Sequence, residues 1–523
     1  MKEFYGLRGS KLDVAIAIVA GADFALFGYD QGVLGGLLTL PSFLNLFPQL
    51  DVMNPPGGDT SKASNIQGIT VGLYTLGCFF GAVATIWLGN MLGRKRTIFI
   101  GSSIMIVGAA IQCSSFSLGQ LLAGRFITGF GNGMNTSTVP TWQSETSKSH
   151  NRGRMVMIEG SLIVFGVMIS YWIDLGMSFT EPSSVSWRFP IAFQIVIAIF
   201  ILSLIPGLPE SPRWLVLKGK DEKALNVLSA LQDLPEDDQI VQSEYKAIKD
   251  TVEEMQKGSF ADAFKTNRNR NLHRTILAYV NQMFQQISGI NIITYYAATV
   301  FQQIGLSPFL SRLLAALNGT EYFLASWIAF FLIEKVGRRK LMLFGAAGQA
   351  LSMAVLAGTT ARLTKESGIA AAVFLFVFNS FFAIGWLGMT WLYPAEITPL
   401  DIRAPANAIS TTANWIFNFM VVMVTPVAFA SIGYQTYVVF AVINAFMVPC
   451  VYFFFPETAY RSLEEMDEIF HNVHGFRGAF TVVKVAHEMP HRFGKNGELL
   501  IAYDDTDEAQ VSMEKAHFFC DSR

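Results

Sequence analysis

Asp30 lies deep in an apolar run near residues 13–37, and Arg125 lies in another near 117–141. An ionised side chain in hydrocarbon costs at least about a few kcal/mol unless it is paired, so each should turn inward beside a partner. Burial favours the neutral form of a carboxyl, and a nearby guanidinium favours the carboxylate. An acid moved between those two surroundings could take up and release a proton. The plainer alternative is a fixed ion pair that holds two helices together. A second set of charges occurs twice. Asn90-Met91-Leu92-Gly93-Arg94-Lys95-Arg96 recurs as Glu334-Lys335-Val336-Gly337-Arg338-Arg339-Lys340, each after a long apolar run. Glu145 with Arg152, and Glu396 with Arg403, keep a spacing of seven residues after two further runs. Arg94 with Glu145, and Arg338 with Glu396, read as cross-helix pairs that make and break, with Arg152 and Arg403 joining them. Positive charge could also serve there only to fix topology.

These charges need a membrane framework to hold them. The chain has 523 residues, of which 51% are hydrophobic, 15% charged and 44 are Phe. A soluble chain usually carries about 25% charged residues. Apolar runs of roughly 20 residues, long enough to cross about 30 Å of hydrocarbon, recur about twelve times. They lie near 13–37, 66–88, 97–115, 117–141, 155–177, 188–206, 274–303, 309–333, 341–360, 370–393, 403–431 and 434–455. The repeated clusters are offset by 244 and 251 residues, and Pro209-Glu210-Ser211 is echoed 247 residues on by Pro456-Glu457-Thr458. Such an internal repeat predicts two related bundles. The expected division is 1–206 and 274–455 for the bundles, 207–273 for short amphipathic linker helices, and 456–523 for a tail. The tail should open with a helix over 462–470, followed by a disordered remainder.

Basic residues gather at 93–96, 148–154, 213–274 and 337–340, while loops near 38–65, 178–187 and 361–368 are poor in them, although Arg362 and Lys365 weaken the last. The positive-inside rule then places both termini and the insertion in the cytosol. Lys2, Arg8 and Lys11 precede the first run, which is too long for a cleaved leader and reads as a span. The net charge of −2 predicts no nucleic-acid partner. Cys78, Cys113, Cys450 and Cys520 lie far apart, with neither metal-ligand nor disulfide spacing. Asn135-Thr136-Ser137 and Asn318-Gly319-Thr320 fit the glycosylation pattern but fall in or beside spans. No Gly-rich loop ends in Gly-Lys-Ser/Thr, and no catalytic constellation shares a span cluster. The reading is therefore not an enzyme, with no cofactor and no metal, driven by a solute gradient or a coupled ion.

Several patterns resemble the sugar porter family of the major facilitator superfamily. They are Phe27-Gly28-Tyr29-Asp30-Gln31-Gly32, Gly93-Arg94-Lys95, Gly124-Arg125-Phe126, Pro140 to Glu145 with Arg152-Gly153, Pro209 to Arg213, Gln285 to Asn291, Gly337-Arg338-Arg339 and Pro456-Glu457-Thr458. Asn135 to Pro140, Trp142 to Glu145, Tyr171-Trp172-Ile173-Asp174 and Phe331 to Lys335 are similar to fungal members, especially the branch with the yeast glycerol–proton symporter.

The resemblance implies an all-α membrane protein of twelve transmembrane helices in two six-helix bundles, with cytosolic helices between the halves. It implies proton-coupled uptake of a neutral sugar or polyol by alternating access, by a monomer in the plasma membrane. A facilitative hexose uniporter is the first alternative, and a non-transporting sensor is the second. Asp30 and Arg125 correspond to the proton-coupling pair. Gln285, Gln286, Asn291, Trp391 and Asn414 correspond to solute contacts. Amides suit that task, because each offers donors and an acceptor to a hydroxyl that does both. An aromatic face covers the C–H side of a carbohydrate. Interhelical hydrogen bonding by the amides and core packing by Trp391 are the alternatives. The charge clusters at Asn90, Arg94, Glu145, Arg152, Glu334, Arg338, Glu396 and Arg403 correspond to the cytosolic gate. Gly160 and Tyr322 stand where many hexose-binding members have Gln and Asn, which favours a polyol, a glycerol-like solute or a different sugar pose.

Overall fold

The computed structural model describes residues 3–146, 152–257, 259–362, 364–461, 463–473 and 478–490. Six long helices form the first half: α1 (Ser10–Leu37), α2 (Thr60–Leu92), α3 (Arg94–Cys113), α4 (Leu118–Thr146), α5 (Arg152–Ser178) and α6 (Val185–Leu204). The second half begins with α7, whose pieces Asn271–Gln285 and Asn291–Gln303 are joined by a π turn, Gln286–Ile290. It continues with α8 (Pro308–Val336), α9 (Arg338–Ala361), α10 in the pieces Lys365–Gly385 and Met389–Ile397, α11 (Arg403–Ile432) and α12 (Gln435–Phe454).

Ten stretches among the described residues are long and apolar enough to cross a membrane. The other two of the twelve, α4 and α7, fall short for local reasons. α4 buries Asn132, Asn135, Thr136 and Thr138 in the bundle interior, where polar groups serve packing and hydrogen bonding. α7 breaks at Gly289, whose φ of 100° only glycine adopts without strain.

In the first half α1 packs on α5 and α6, and α4 packs on α2 and α3; in the second, α9 packs on α10 and α12, and α7 on α11. The halves meet where α2 touches α11, α5 touches α8, and α1 touches the second piece of α7. The α1–α5 contact is close because α1 presents Gly28 to the Ile163 carbonyl and Gly36 to Asp174, and any side chain there would collide.

Between the halves run three short helices, Pro212–Leu217, Asp221–Gln232 and Gln239–Lys257, which share a small core of Leu228, Val241, Ile248 and Val252. The helix expected after Pro456 spans Leu463–His471. It is tied to α7 by an Arg274–Asp467 ion pair and by Arg274 Nη2 donating to the Met466 carbonyl at 3.0 Å. A further helix, Gly478–Glu488, corrects the expectation of disorder there. It buries Val482 and Ala486, and Phe480 packs on Phe454 of α12 with ring centroids 4.8 Å apart. Residues 147–151, Cys520 and the rest of 491–523 lie outside the described residues.

Candidate functional site

A cavity of ≈ 60 Å³ lies between the halves. Phe27 and Gln31 of α1 and Ile163, Val164 and Val167 of α5 form one wall; Gln285, Gln286, Asn291, Tyr322, Trp391, Asn414 and Asn418 form most of the other. All five residues expected to contact solute therefore face one space. The π turn of α7 brings Gln286 and Asn291 together, with Asn291 Nδ2 donating to Gln286 Oε1 at 2.7 Å. Gln286 Nε2 donates to Gln285 Oε1 at 3.0 Å, and Asn414 Nδ2 of α11 donates to the same oxygen at 3.1 Å. The chain continues to Gln282, whose Oε1 accepts from Asn414 Nδ2 at 2.7 Å. These amides thus bind α7 to α11 and line the cavity at once. Sequence reasoning missed Gln31, Gln282 and Asn418. Gln282 lies one turn before Gln285 and Asn418 one turn after Asn414, so helical spacing could have found both.

The two departures also sit here. Gly160 faces Leu387 with a methyl's worth of ordinary room, and Tyr322 lines the cavity with its ring edge-on to Phe382 at 6.2 Å. Away from the basic loops the halves touch. Tyr171 Oη donates to the Thr294 carbonyl at 3.0 Å, and Arg312 Nη1 donates to the Thr39 carbonyl at 3.1 Å.

One turn of α1 connects this cavity to Asp30, the residue before Gln31. Asp30 is wholly buried, and its carboxyl oxygens make no hydrogen bond of ordinary length, although the Tyr74 hydroxyl acts on them as a hydrogen-bonding neighbour. Arg125 is also buried, but the expected ion pair is not closed. Its Nη2 donates to the Val71 carbonyl at 3.3 Å, and its guanidinium lies 4.7 Å from the centre of the Tyr74 ring. Arg125, Asp23 and Tyr74 are the groups acting on Asp30. Asp23, also on α1, was passed over in the sequence, although two helical turns place it on the Asp30 face. Asp174 and Glu159 on α5 are further buried acids, 1% and 5% exposed.

The repeated clusters form two matching networks at the basic-loop end, each inside its own half. Arg94 grips Glu145 through Nε at 3.0 Å and Nη2 at 3.1 Å. Arg338 grips Glu396 through Nη2 at 2.8 Å and also holds Glu334 at 3.2 Å. The repeated Pro-Glu motifs supply a part the sequence did not assign. Glu210 Oε1 accepts the Arg94 N–H at 3.0 Å, and Glu457 Oε1 accepts the Arg338 N–H at 2.8 Å. Each carboxylate therefore seals a helix N-terminus, where N–H groups lack partners and negative charge is favoured. Gly93 and Gly337, with φ of 90° and 96°, leave room for those carboxylates. Burial pushes the Glu210 carboxyl above its ordinary range, against the pull of the Ser211, Lys95 and Arg94 amides.

One expected gate member, Asn90, sits differently. The Asn90 side chain is exposed, and only its carbonyl takes part, accepting Trp214 Nε1 at 3.1 Å. Arg403 donates to the Thr398 carbonyl at 2.9 Å at the foot of α11. Arg152 begins α5, but its side chain lies outside the described ones.

The family described as "Sugar (and other) transporter" matches residues 14–470. The sugar transporter STL1 of Saccharomyces cerevisiae is 44% identical over 473 residues, 89% of this chain and 82% of that protein. The MFS-type transporter oryC of Aspergillus oryzae is 40% identical, covering 90% of this chain and 87% of that protein. A probable quinate permease of Aspergillus niger is 31% identical, covering 92% of each. Among solved structures, the proton:xylose symporter XylE bound to 6-bromo-6-deoxy-D-glucose superimposes with a TM-score of 0.73. It is 23% identical and covers 88% of this chain and all of that one.

Proposed function

The chain belongs to the sugar (and other) transporter family, and we propose that it is a proton-coupled symporter for a small neutral polyol or sugar. One observation carries this reading. Asp30, a fully buried acid that closes no ion pair with Arg125, stands in the same turn of α1 as Phe27 and Gln31, which line the amide-rich cavity. A proton on Asp30 and a solute on Gln31 would therefore sense each other through one stretch of helix. The open Asp30–Arg125 geometry supports an acid that exchanges its proton rather than a fixed strut. The amides, Tyr322 and Trp391 would give hydroxyls their hydrogen bonds and C–H groups an aromatic wall. Gly160 and Tyr322 change two contacts that a pyranose would use, which fits a polyol, a glycerol-like solute or a hexose in another pose.

The basic-loop end is assigned to the cytosol, with both termini there and the protein in the plasma membrane. Rocking of the halves about the cavity, with the Arg94–Glu145 and Arg338–Glu396 clamps opening and closing, gives alternating access. The test is a transporter-deficient yeast expressing the chain, offered labelled glycerol, xylose, galactose and glucose while external pH is recorded. Accumulation above the external concentration with alkalinisation of the medium supports symport. Equilibration without a pH change supports a uniporter instead.

A further inference from the structure

The first half buries more acid than one proton site needs. Asp174 of α5 is 1% exposed, and its carboxyl oxygens make no hydrogen bond of ordinary length, although the Gly36 backbone acts on them as a hydrogen-bonding neighbour. It packs on Gly36 of α1, where any side chain would strike it. Asp23 of α1 is 2% exposed; its Oδ1 accepts from Asn135 Nδ2 of α4 at 2.7 Å, while Oδ2 has no partner. That Asn135 nitrogen also reaches Ser102 Oγ of α3 at 2.9 Å. Asn in place of either acid would fill the same volume with far less cost of burial, so packing alone does not account for them. Intramembrane acids of this kind mark proton relays.

The three carboxyls follow one helix. Asp23 lies two turns before Asp30 on the same face of α1, roughly 10 Å nearer the basic-loop end. Gly36, which Asp174 covers, lies about 9 Å beyond Asp30 toward the opposite end. Tyr29 interacts electrostatically with both Asp174 and Asp30; its hydroxyl donates to the Pro190 carbonyl at 2.8 Å. The titratable and charged groups facing the ladder are Tyr29 and Tyr171 at Asp174, and Arg125, Tyr74 and Cys78 at Asp30. At Asp23 the facing groups are Asp30 and the uncharged Asn135 and Ser102.

We propose that Asp174, Asp30 and Asp23 form a proton ladder through the first half, an inference that rests on the coupling role of Asp30. The Asp174 carboxylate takes a proton from external water and becomes the neutral acid. It passes that proton, through water admitted as the halves rock, to the Asp30 carboxylate and is left ionised. Asp30 then hands the proton to Asp23, and Asp23 releases it to cytosolic water. One proton enters and one leaves, and only O–H bonds change. The solute does not travel this path.

The test uses the full chain in proteoliposomes, with whichever of glycerol, xylose and glucose the wild type accumulates. Solute-driven proton flux and solute counterflow are measured across pH for wild type and for Asp174→Asn, Asp174→Glu, Asp23→Asn and Asp23→Glu. The ladder predicts that each Asn variant lowers the ratio of proton flux to counterflow by about tenfold or more. It predicts that each Glu variant, which restores a titrating group, recovers most of that ratio with a shifted pH profile. A proportional fall of both fluxes assigns the acids to helix packing and overturns the ladder. So does a wild-type ratio and pH profile in both Asn variants, which leaves the coupling role of Asp30 standing. Absence of solute-driven proton flux in the wild type removes both.

Discussion

Arg125 turns its guanidinium to the ring of Tyr74, 4.7 Å from the ring centre, and makes no salt bridge with Asp30. The two charges are buried together yet not locked. A fixed bidentate pair would hold Asp30 ionised through every step. An acid left near, but not on, its cation is free to change its protonation state as the halves move.

The solute site gives a binding prediction. Gln286→Ala removes the acceptor for Asn291, and Trp391→Ala removes the aromatic wall. Each should weaken solute binding by roughly 1–2 kcal/mol, raising half-saturation about five- to thirtyfold. Labelled uptake against concentration measures this. Unchanged half-saturation in both variants would move the site elsewhere.

The clamps give a kinetic prediction. Arg94→Ala leaves Glu145 largely buried without its cation, a local cost on the order of a few kcal/mol, and Glu396→Ala leaves buried Arg338 only its pairing with the more exposed Glu334. Maximal uptake should fall with normal surface delivery, and the balance between outward-open and inward-open states should shift. Wild-type maximal uptake in both variants would leave the clusters only a topological role.

Glu210 gives a pH prediction. Its carboxyl is held above the ordinary glutamate value of 4.5 by burial. The folded form therefore keeps its proton longer than the unfolded chain. Stability from this group is present below that ordinary value and lost as pH rises through the raised one. Thermal unfolding of detergent-purified wild type should lose Tm over that window relative to Glu210→Gln, which cannot titrate. Parallel curves would contradict the assignment.

Topology is directly accessible. A protease site placed in the 239–257 linker helix should resist cleavage from outside intact cells and be cut after permeabilisation, because the basic loops assign that side to the cytosol. Cleavage from outside would invert the whole arrangement.

Much of this was legible in the sequence, because each reading rested on a strong physical constraint. Asp30 and Arg125 stood out because charge in an apolar run is rare, and the Gly93 and Gly337 clusters because they recur. What escaped depended on side-chain direction. Asp23 was hidden in the shadow of Asp30, although both lie on one face of α1. Gln282 and Asn418 looked like ordinary polar residues until α7 and α11 were placed side by side. Glu210 and Glu457 were visible as a repeated motif, but their targets, the N–H groups of α3 and α9, lie more than a hundred residues away. The tail helix Gly478–Glu488 is a short apolar segment, Val482-Val483 among its residues, set before a long polar stretch, and the composition of the whole tail hides it.

The central claim is that Asp30 carries the coupled proton, and Asp30→Asn tests it most directly. The amide matches the shape of the protonated acid but cannot titrate. Concentrative uptake, medium alkalinisation and counterflow should be measured together in yeast expressing wild type or the variant. Asp30→Asn is predicted to lose accumulation against a gradient and solute-driven alkalinisation, while counterflow persists, because binding and rocking do not require a change of charge. If the variant still concentrates solute and still alkalinises the medium, coupling through Asp30 is wrong.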